Sequence, residues 1–152
     1  MPSTPTGPIY FTTEGRVFLI TGGALGIGRA AAQLLIAAGA RVMLADVNGA
    51  AAEQAAAALG PLSQARGLAV DVLDYAQVEK MVADTIAAFG RLDGLINTVG
   101  GSSGHGITGA RDIEELSFAD WDRTIDLNLK SVFYCCRVVV PILKAQRSGR
   151  IV

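Results

Sequence analysis

The stretch Thr21-Gly22-Gly23-Ala24-Leu25-Gly26-Ile27-Gly28 is the part of this chain best suited to chemistry. It follows a short apolar run, Val17-Phe18-Leu19-Ile20, and opens a helical pattern from Arg29 to Ile36. Strand, glycine-rich turn and helix in that order set bare backbone N–H groups and a helix N-terminus against a pyrophosphate. One glycine lets the chain turn sharply, one lets backbone approach phosphate, and one lets helix and strand pack closely. The spacing is Thr-Gly-x-x-x-Gly-x-Gly, distinct from the G-x-G-x-x-G of the general dinucleotide fingerprint. Gly22, Leu25, Gly26, Ile27 and Gly28 are therefore candidate cofactor-binding positions. Glycine makes up 18 of 152 residues, so the turn draws its weight from context and not from composition.

A second candidate, Asp46, ends the apolar run Arg41-Val42-Met43-Leu44-Ala45. A carboxylate at that place can accept two hydrogen bonds from an adenosine ribose and would repel a 2′-phosphate. As a turn residue or cap after the strand it would have no such task. Arg29 is the one nearby cation and reads as helix surface.

The elements that must position these residues alternate. After the first helix ends at Gly39, Arg41–Asp46 reads as a buried strand. Asn48 caps an alanine-rich helix over 49–59, which Gly60-Pro61 terminates. Gly67 to Val72 predicts a third strand. Asp74 to Gln77 has capping-box spacing, and Val78, Met81, Val82, Thr85, Ile86 and Phe89 recur at helical intervals up to Gly90. Leu92 to Thr98 predicts a fourth strand. Ser117 and Asp120 offer another cap, followed by one apolar stripe through Trp121, Ile125, Leu129, Val132, Phe133 and Cys136. Pro141 is expected to kink or end that helix. Gly149 to Val152 looks like the start of a fifth strand. Strands alternating with crossover helices imply an α/β fold, a doubly wound parallel sheet of Rossmann type stopping at the start of its fifth strand. Residues 1–14, with Pro2, Pro5 and Pro8, are expected to be a flexible arm and not a signal peptide, leaving 15–152 as one domain.

With 51% hydrophobic residues the chain can bury a substantial core. Its formal charge of −1 and pI near 5.7 give no electrostatic footprint for nucleic acid. The longest apolar run, Val132 to Leu143, is broken by Arg137 and Pro141 and is too short to span a membrane. Cys135 and Cys136 are adjacent in a helical pattern, a poor start for a disulfide, and read as small apolar residues. His105, the only histidine, lies in a glycine- and serine-rich stretch, and nothing supplies a metal ligand set. A cytoplasmic, reducing setting is expected.

The glycine pattern, with the strand and helix around it, resembles the short-chain dehydrogenase/reductase family, and the resemblance runs from about Arg16 to Val152. It implies an oxidoreductase that moves hydride between a nicotinamide cofactor and an alcohol or ketone. It also implies that Asp46 selects NAD over NADP, since Leu25 and Val47 stand where NADP-preferring members often carry Arg or Lys. Asp71-Val72 resembles the family's adenine-pocket pair, the carboxylate toward the amino group and the apolar side chain against the ring. Asn97-Thr98-Val99-Gly100 stands where Asn-Asn-Ala-Gly is usual, so Asn97 and Gly100 match while Thr98 and Val99 depart. Asn128 matches the active-site asparagine, which in the family holds a local helix break and a water chain to the catalytic lysine. Asp122, Asp126 and Lys130 beside it read as a charged outer face.

The family's carbonyl-orienting serine and its Tyr-x-x-x-Lys pair have no counterpart here. Tyr10, Tyr75 and Tyr134 are followed four residues on by Glu14, Glu79 and Val138. The 152 residues are thus expected to be the cofactor-binding part of a dehydrogenase, inactive alone and a dimer or tetramer when complete. A non-catalytic dinucleotide-binding module and a truncated fragment without function are the alternatives. As a fragment, the chain should leave Val132, Phe133 and Val139 or their neighbours uncovered.

Overall fold

In the computed structural model, residues 13–101 and 113–152 are described. Strand β1 (Val17–Thr21) is the middle of a parallel sheet. On one side it pairs with β2 (Arg41–Asp46), which pairs in turn with β3 (Ala65–Ala69). On the other it pairs with β4 (Gly94–Asn97), which pairs with β5 (Arg150–Ile151), giving the order β3-β2-β1-β4-β5. The connecting helices are α1 (Gly26–Ala37), α2 (Gly49–Leu59) and α3 (Tyr75–Phe89). Between β4 and β5 come α4 (Phe118–Ile125), a π-helical segment (Asp126–Lys130) and α5 (Ser131–Gln146).

Alternation along the strands divides the core into two layers. Ile20, Val42 and Leu44 meet Ala32 and Leu35 of α1 and Ala52, Ala55 and Ala56 of α2. Val17, Leu19, Met43 and Leu95 meet Val78, Met81 and Phe89 of α3 and Cys135 and Val139 of α5. A doubly wound α/β fold follows, as expected. Alanine along α2 has a packing reason too, because Gly67 of β3 lies so close that a Cβ there would meet the backbone of Ala52 and Glu53.

Local signals read correctly. Asn48 accepts from the Ala51 N–H at 3.1 Å, and Asp74 accepts from the N–H groups of Ala76 and Gln77. Gly39 and Gly90 adopt left-handed φ of +87° and +81° past their helices. Five expectations need correction. Strand β3 ends at Ala69 and not at Val72, because β2 ends at Asp46 and the Val70 N–H to Asp46 carbonyl bond is the last rung. Strand β4 begins at Gly94 and ends at Asn97, within the expected Leu92 to Thr98. The single helix after Ser117 is three pieces, and Trp121, Ile125 and Leu129 of its stripe are exposed, as is Phe133, which is expected to be uncovered. Val139, expected at the surface, is fully buried. Pro141 does not end α5: Val139, Ile142 and Leu143 pack against the core on both sides of it, while Pro141 and Arg137 face solvent.

Thr13 ties to α1 through the Ala38 carbonyl, Glu14 is exposed in the turn that follows, and residues 1–12 of the expected arm lie outside the described residues. So does His105. Among the described residues no helix is long and apolar enough to cross a membrane.

Candidate functional site

Strands β1, β2 and β4 all end at one edge, and the strand order reverses there, between β1 and β4. That is where open α/β sheets bind ligands. The turn from β1 to α1 sits at this point. Gly22 and Gly26 have φ of +68° and +53°, conformations that branched residues reach only with strain. A Cβ on Gly28 would lie 2.5 Å from both the Gly22 carbonyl and Thr98 Oγ1, so that glycine serves close packing. Gly26 is the opposite case, with nothing within 4 Å of its would-be Cβ. Leu25, at the N-cap of α1, supplies no side-chain hydrogen bond, and the first turn holds no acidic residue. Among the described residues, the first turn and N-cap of α1 thus offer its N–H groups and dipole no anionic side chain. Leu25 and Ile27 flank the open side and are both exposed.

Asp46 is at the adjoining strand end. Its Oδ2 accepts from the Ala24 N–H at 3.2 Å and its Oδ1 from the Asn48 N–H at 3.0 Å. The carboxylate is therefore built into the glycine turn, and the Gly23 N–H to Ala45 carbonyl bond reinforces that junction. Val47 is exposed beside it.

Asp71 and Val72 lie beyond the end of β3. Asp71 is exposed and its Oδ1 accepts from the Leu73 N–H at 2.9 Å. Val72 is 5% exposed and packs with Val70 and Val78 in the core. The two differ in burial, Asp71 being exposed and Val72 buried.

At the end of β4, the Asn97 side chain donates to the Val152 carbonyl while its Oδ1 is buried without a partner among the described residues. Thr98 carries a role that its sequence gives no sign of. Its hydroxyl donates to the Thr21 carbonyl at 2.6 Å, with the Gly22 carbonyl 3.3 Å away. A residue 77 positions away thus locks the glycine turn to β4. Gly100 approaches Asn128 so closely that a Cβ would sit 2.7 Å from Asn128 Oδ1.

Asn128 lies inside the π segment. Its Nδ2 donates to the Gly101 and Thr124 carbonyls at 2.7 and 2.8 Å, and its Oδ1 accepts from the Gly101 N–H at 3.0 Å. The bond to Thr124 occupies a helix carbonyl within the break, and the pair to Gly101 pins the loop after β4. Asp126 pairs with Lys130 at 3.2 Å, while Asp122 is exposed. The arrangement brings Gly22, Gly26, Gly28 and Asp46 into one constellation with Asn97 and Gly100 alongside. Asn128 is attached through Gly101, and Val72 stands apart.

Parallel sheet, glycine turn at the switch point and carboxylate at the next strand end define a dinucleotide-binding α/β fold. The comparisons agree. The family model described as short chain dehydrogenase matches residues 16–152, and the chain belongs to that family. It is 41% identical over 144 residues to D-threitol dehydrogenase of Mycolicibacterium smegmatis, covering 93% of this chain and 53% of that protein. It is 37% identical over 156 residues to levodione reductase of Leifsonia aquatica, covering 100% of this chain and 55% of the relative. A solved structure of 3-ketoacyl-(acyl-carrier-protein) reductase from Brucella melitensis complexed with NADH superposes with a TM-score of 0.78 at 29% identity. That match covers 88% of this chain and 52% of the other. The chain spans about half the length of the relatives it matches.

Proposed function

We propose that these residues form the cofactor-binding part of an oxidoreductase that transfers hydride between NAD and an alcohol or ketone. The observation that carries the reading is the open side of the turn at Gly26, beneath an uncapped helix N-terminus and next to Asp46. These residues fit a dinucleotide. The first-turn N–H groups of α1 would hold the pyrophosphate, Asp46 the adenosine ribose and Asp71 the adenine amino group. Asn97 and Gly100 would wall the cofactor, and Asn128 would hold the loop at Gly101 in place. When bound, the nicotinamide supplies the hydride chemistry, and the chain supplies binding and orientation.

Asp46, with the apolar Leu25 and Val47 in the neighbouring places, favours NAD over NADP. The names of the relatives, a threitol dehydrogenase and a levodione reductase, support an alcohol or ketone as substrate. The proton donor of such a reaction would lie outside these 152 residues, because no tyrosine here is followed by a lysine at the fourth position. A non-catalytic dinucleotide-binding module is the second reading. The buried Cys135 thiol and the free Cys136 suit a reducing, cytoplasmic setting.

Titration of the chain with NADH and NADPH, followed by nucleotide fluorescence, tests the reading. Binding of NADH with weaker NADPH is expected. Absence of binding by folded protein would overturn it. Absorbance assays with secondary alcohols and ketones then separate the two readings: the chain alone should give no turnover, and one extended through a serine and Tyr-x-x-x-Lys should.

A further inference from the structure

The end of the sheet opposite the glycine turn concentrates one residue type. All strands are parallel and so begin at one rim, and each begins beside an arginine. In spatial order these are Arg66 in β3, Arg41 in β2, Arg16 before β1, Arg91 before β4 and Arg150 in β5. The helices run back toward the same rim, where α5 ends with Lys144 and Arg147. Those seven residues are more than half of the chain's 13 cations, and among the described residues Glu14 and Asp93 are the carboxylates at the strand starts beside them. The rim thus carries a formal +5 in a chain of net −1, or +4 with Glu53, which borders the groove beside Arg66. Asp84, on the other wall of that groove, pairs with Lys80 at 2.6 Å.

Several of the side chains are held in place. The guanidinium carbons of Arg41 and Arg66 lie 5.6 and 5.7 Å from the Phe89 ring centroid. Arg41 donates to the Gly15 carbonyl and Arg66 to the Leu62 carbonyl. Arg91 grips Asp93 with two bonds of 2.7 and 2.6 Å. All seven cations but Arg41 are exposed. The ordinary reason for cations here is that four helices, α1, α2, α3 and α5, end at this rim. Each C-terminus carries roughly half a negative charge, so together they offset about two of the positive charges. A clear excess remains.

We propose that this arginine rim docks an acidic peptide segment of a partner protein. Neighbouring strands are about 4.8 Å apart, so five of them spread the guanidinium groups over roughly 19 Å. An extended peptide places alternate side chains about 7 Å apart, close enough for flexible arginines to meet successive carboxylates. Six of the seven cations are arginine, whose planar fork binds carboxylate through two parallel bonds. Nucleic acid suits the rim less well, because Phe89, its aromatic ring, is buried beneath the guanidinium groups and offers no face for a base. A bilayer suits it less well too, since Leu62 is the one large apolar side chain exposed among the described residues of the rim loops.

The test is fluorescence anisotropy of a labelled decapeptide of alternating Glu and Ser, at about 50 mM salt, with the folded 152-residue chain. Saturable binding is expected. It should weaken by about tenfold in the triple variant Arg16→Gln/Arg41→Gln/Arg66→Gln and stay within about twofold in the control Arg123→Gln/Arg137→Gln. Circular dichroism checks each variant, and Arg66→Gln/Arg150→Gln replaces the triple if that one unfolds. Equal loss in rim and control variants, an unchanged rim variant, or absence of binding would overturn the proposal. So would tighter binding of an oligo-deoxythymidine or of phosphatidylserine vesicles than of the peptide.

Discussion

Both oxygens of Asp46 accept backbone N–H groups, so the carboxylate is part of the turn through which it is proposed to select cofactor. A 2′-phosphate a few ångströms away would cost about 1–4 kcal/mol at intermediate effective dielectric. NADPH should therefore bind at least about fivefold more weakly than NADH. Asp46→Ala should narrow that gap mainly by weakening NADH, because the substitution also releases the Ala24 N–H. Paired fluorescence titrations check this, and an unchanged NADH to NADPH ratio in a folded variant would remove the ribose from Asp46. The glycines of the turn should separate in a different way. Gly26→Val meets open space but a φ of +53°, so it should fold with about 1–2 kcal/mol of strain and lose nucleotide binding. Gly28→Ala would drive a methyl group into the Gly22 carbonyl and Thr98 Oγ1, so it should lower the melting temperature even without nucleotide. Thermal melts of both variants, with and without NADH, distinguish the two effects.

Between elements, Asp93 is the strongest single tie. It is 3% exposed just before β4, and its carboxylate accepts from the Val17 N–H at 2.9 Å and from Arg91. Burial alone would raise its pKa, but the Arg91 hydrogen bonds, the Val17 N–H and the charges of Arg91 and Arg16 outweigh it and hold the group below its usual range. The folded pKa lies below the unfolded one. The ionised group therefore stabilises fully above the unfolded value of about 4, and that stability is lost as pH falls through the folded value. Urea melts should show this loss in acid, and Asp93→Asn should flatten it while costing about 2–4 kcal/mol at neutral pH. A variant as pH-sensitive as the native chain would place the acid lability elsewhere. The elements joined here also mark how far the sequence could be read. Caps at Asn48, Asp74 and Ser117 and the left-handed glycines depend on a few adjacent residues, so strand and helix order was legible. The hold of Thr98 on Thr21 and of Asp46 on Ala24 depends on the fold itself, and no local pattern announces either. The stripe from Trp121 to Cys136 was legible as a face, but Trp121, Ile125, Leu129 and Phe133 of it point to solvent, and no local pattern says which apolar faces the core covers. Asn128 was legible through family resemblance, whereas its bonds to Gly101 and Thr124 were not.

On the scale of the whole molecule, α4 and the start of α5 present Phe118, Trp121, Ile125, Leu129 and Phe133 on the surface, from 37% to 91% exposed. Isolated exposed apolar residues are unremarkable, but five recurring at intervals of three and four form a continuous face. Burying an aromatic or branched side chain stabilises by about 1.5–3 kcal/mol, so pairing even part of this face can offset the entropy of association. Residues 114–133 carry Glu114, Glu115, Asp120, Asp122 and Asp126 against Arg123 and Lys130, a net −3 that would repel its own copy across a symmetric contact. Self-association should therefore strengthen as salt screens those charges, the reverse of the behaviour expected for the arginine rim. Light scattering at about 100 μM should give a mass above 15.7 kDa that rises between low and moderate salt. Trp121→Glu/Phe133→Glu should return the chain to monomer without loss of helical content, because both side chains are more than half exposed and support little of the core. A native chain that stays monomeric at that concentration in both salts would show that this face is stable uncovered, and any dimer or tetramer would have to be built through other surfaces.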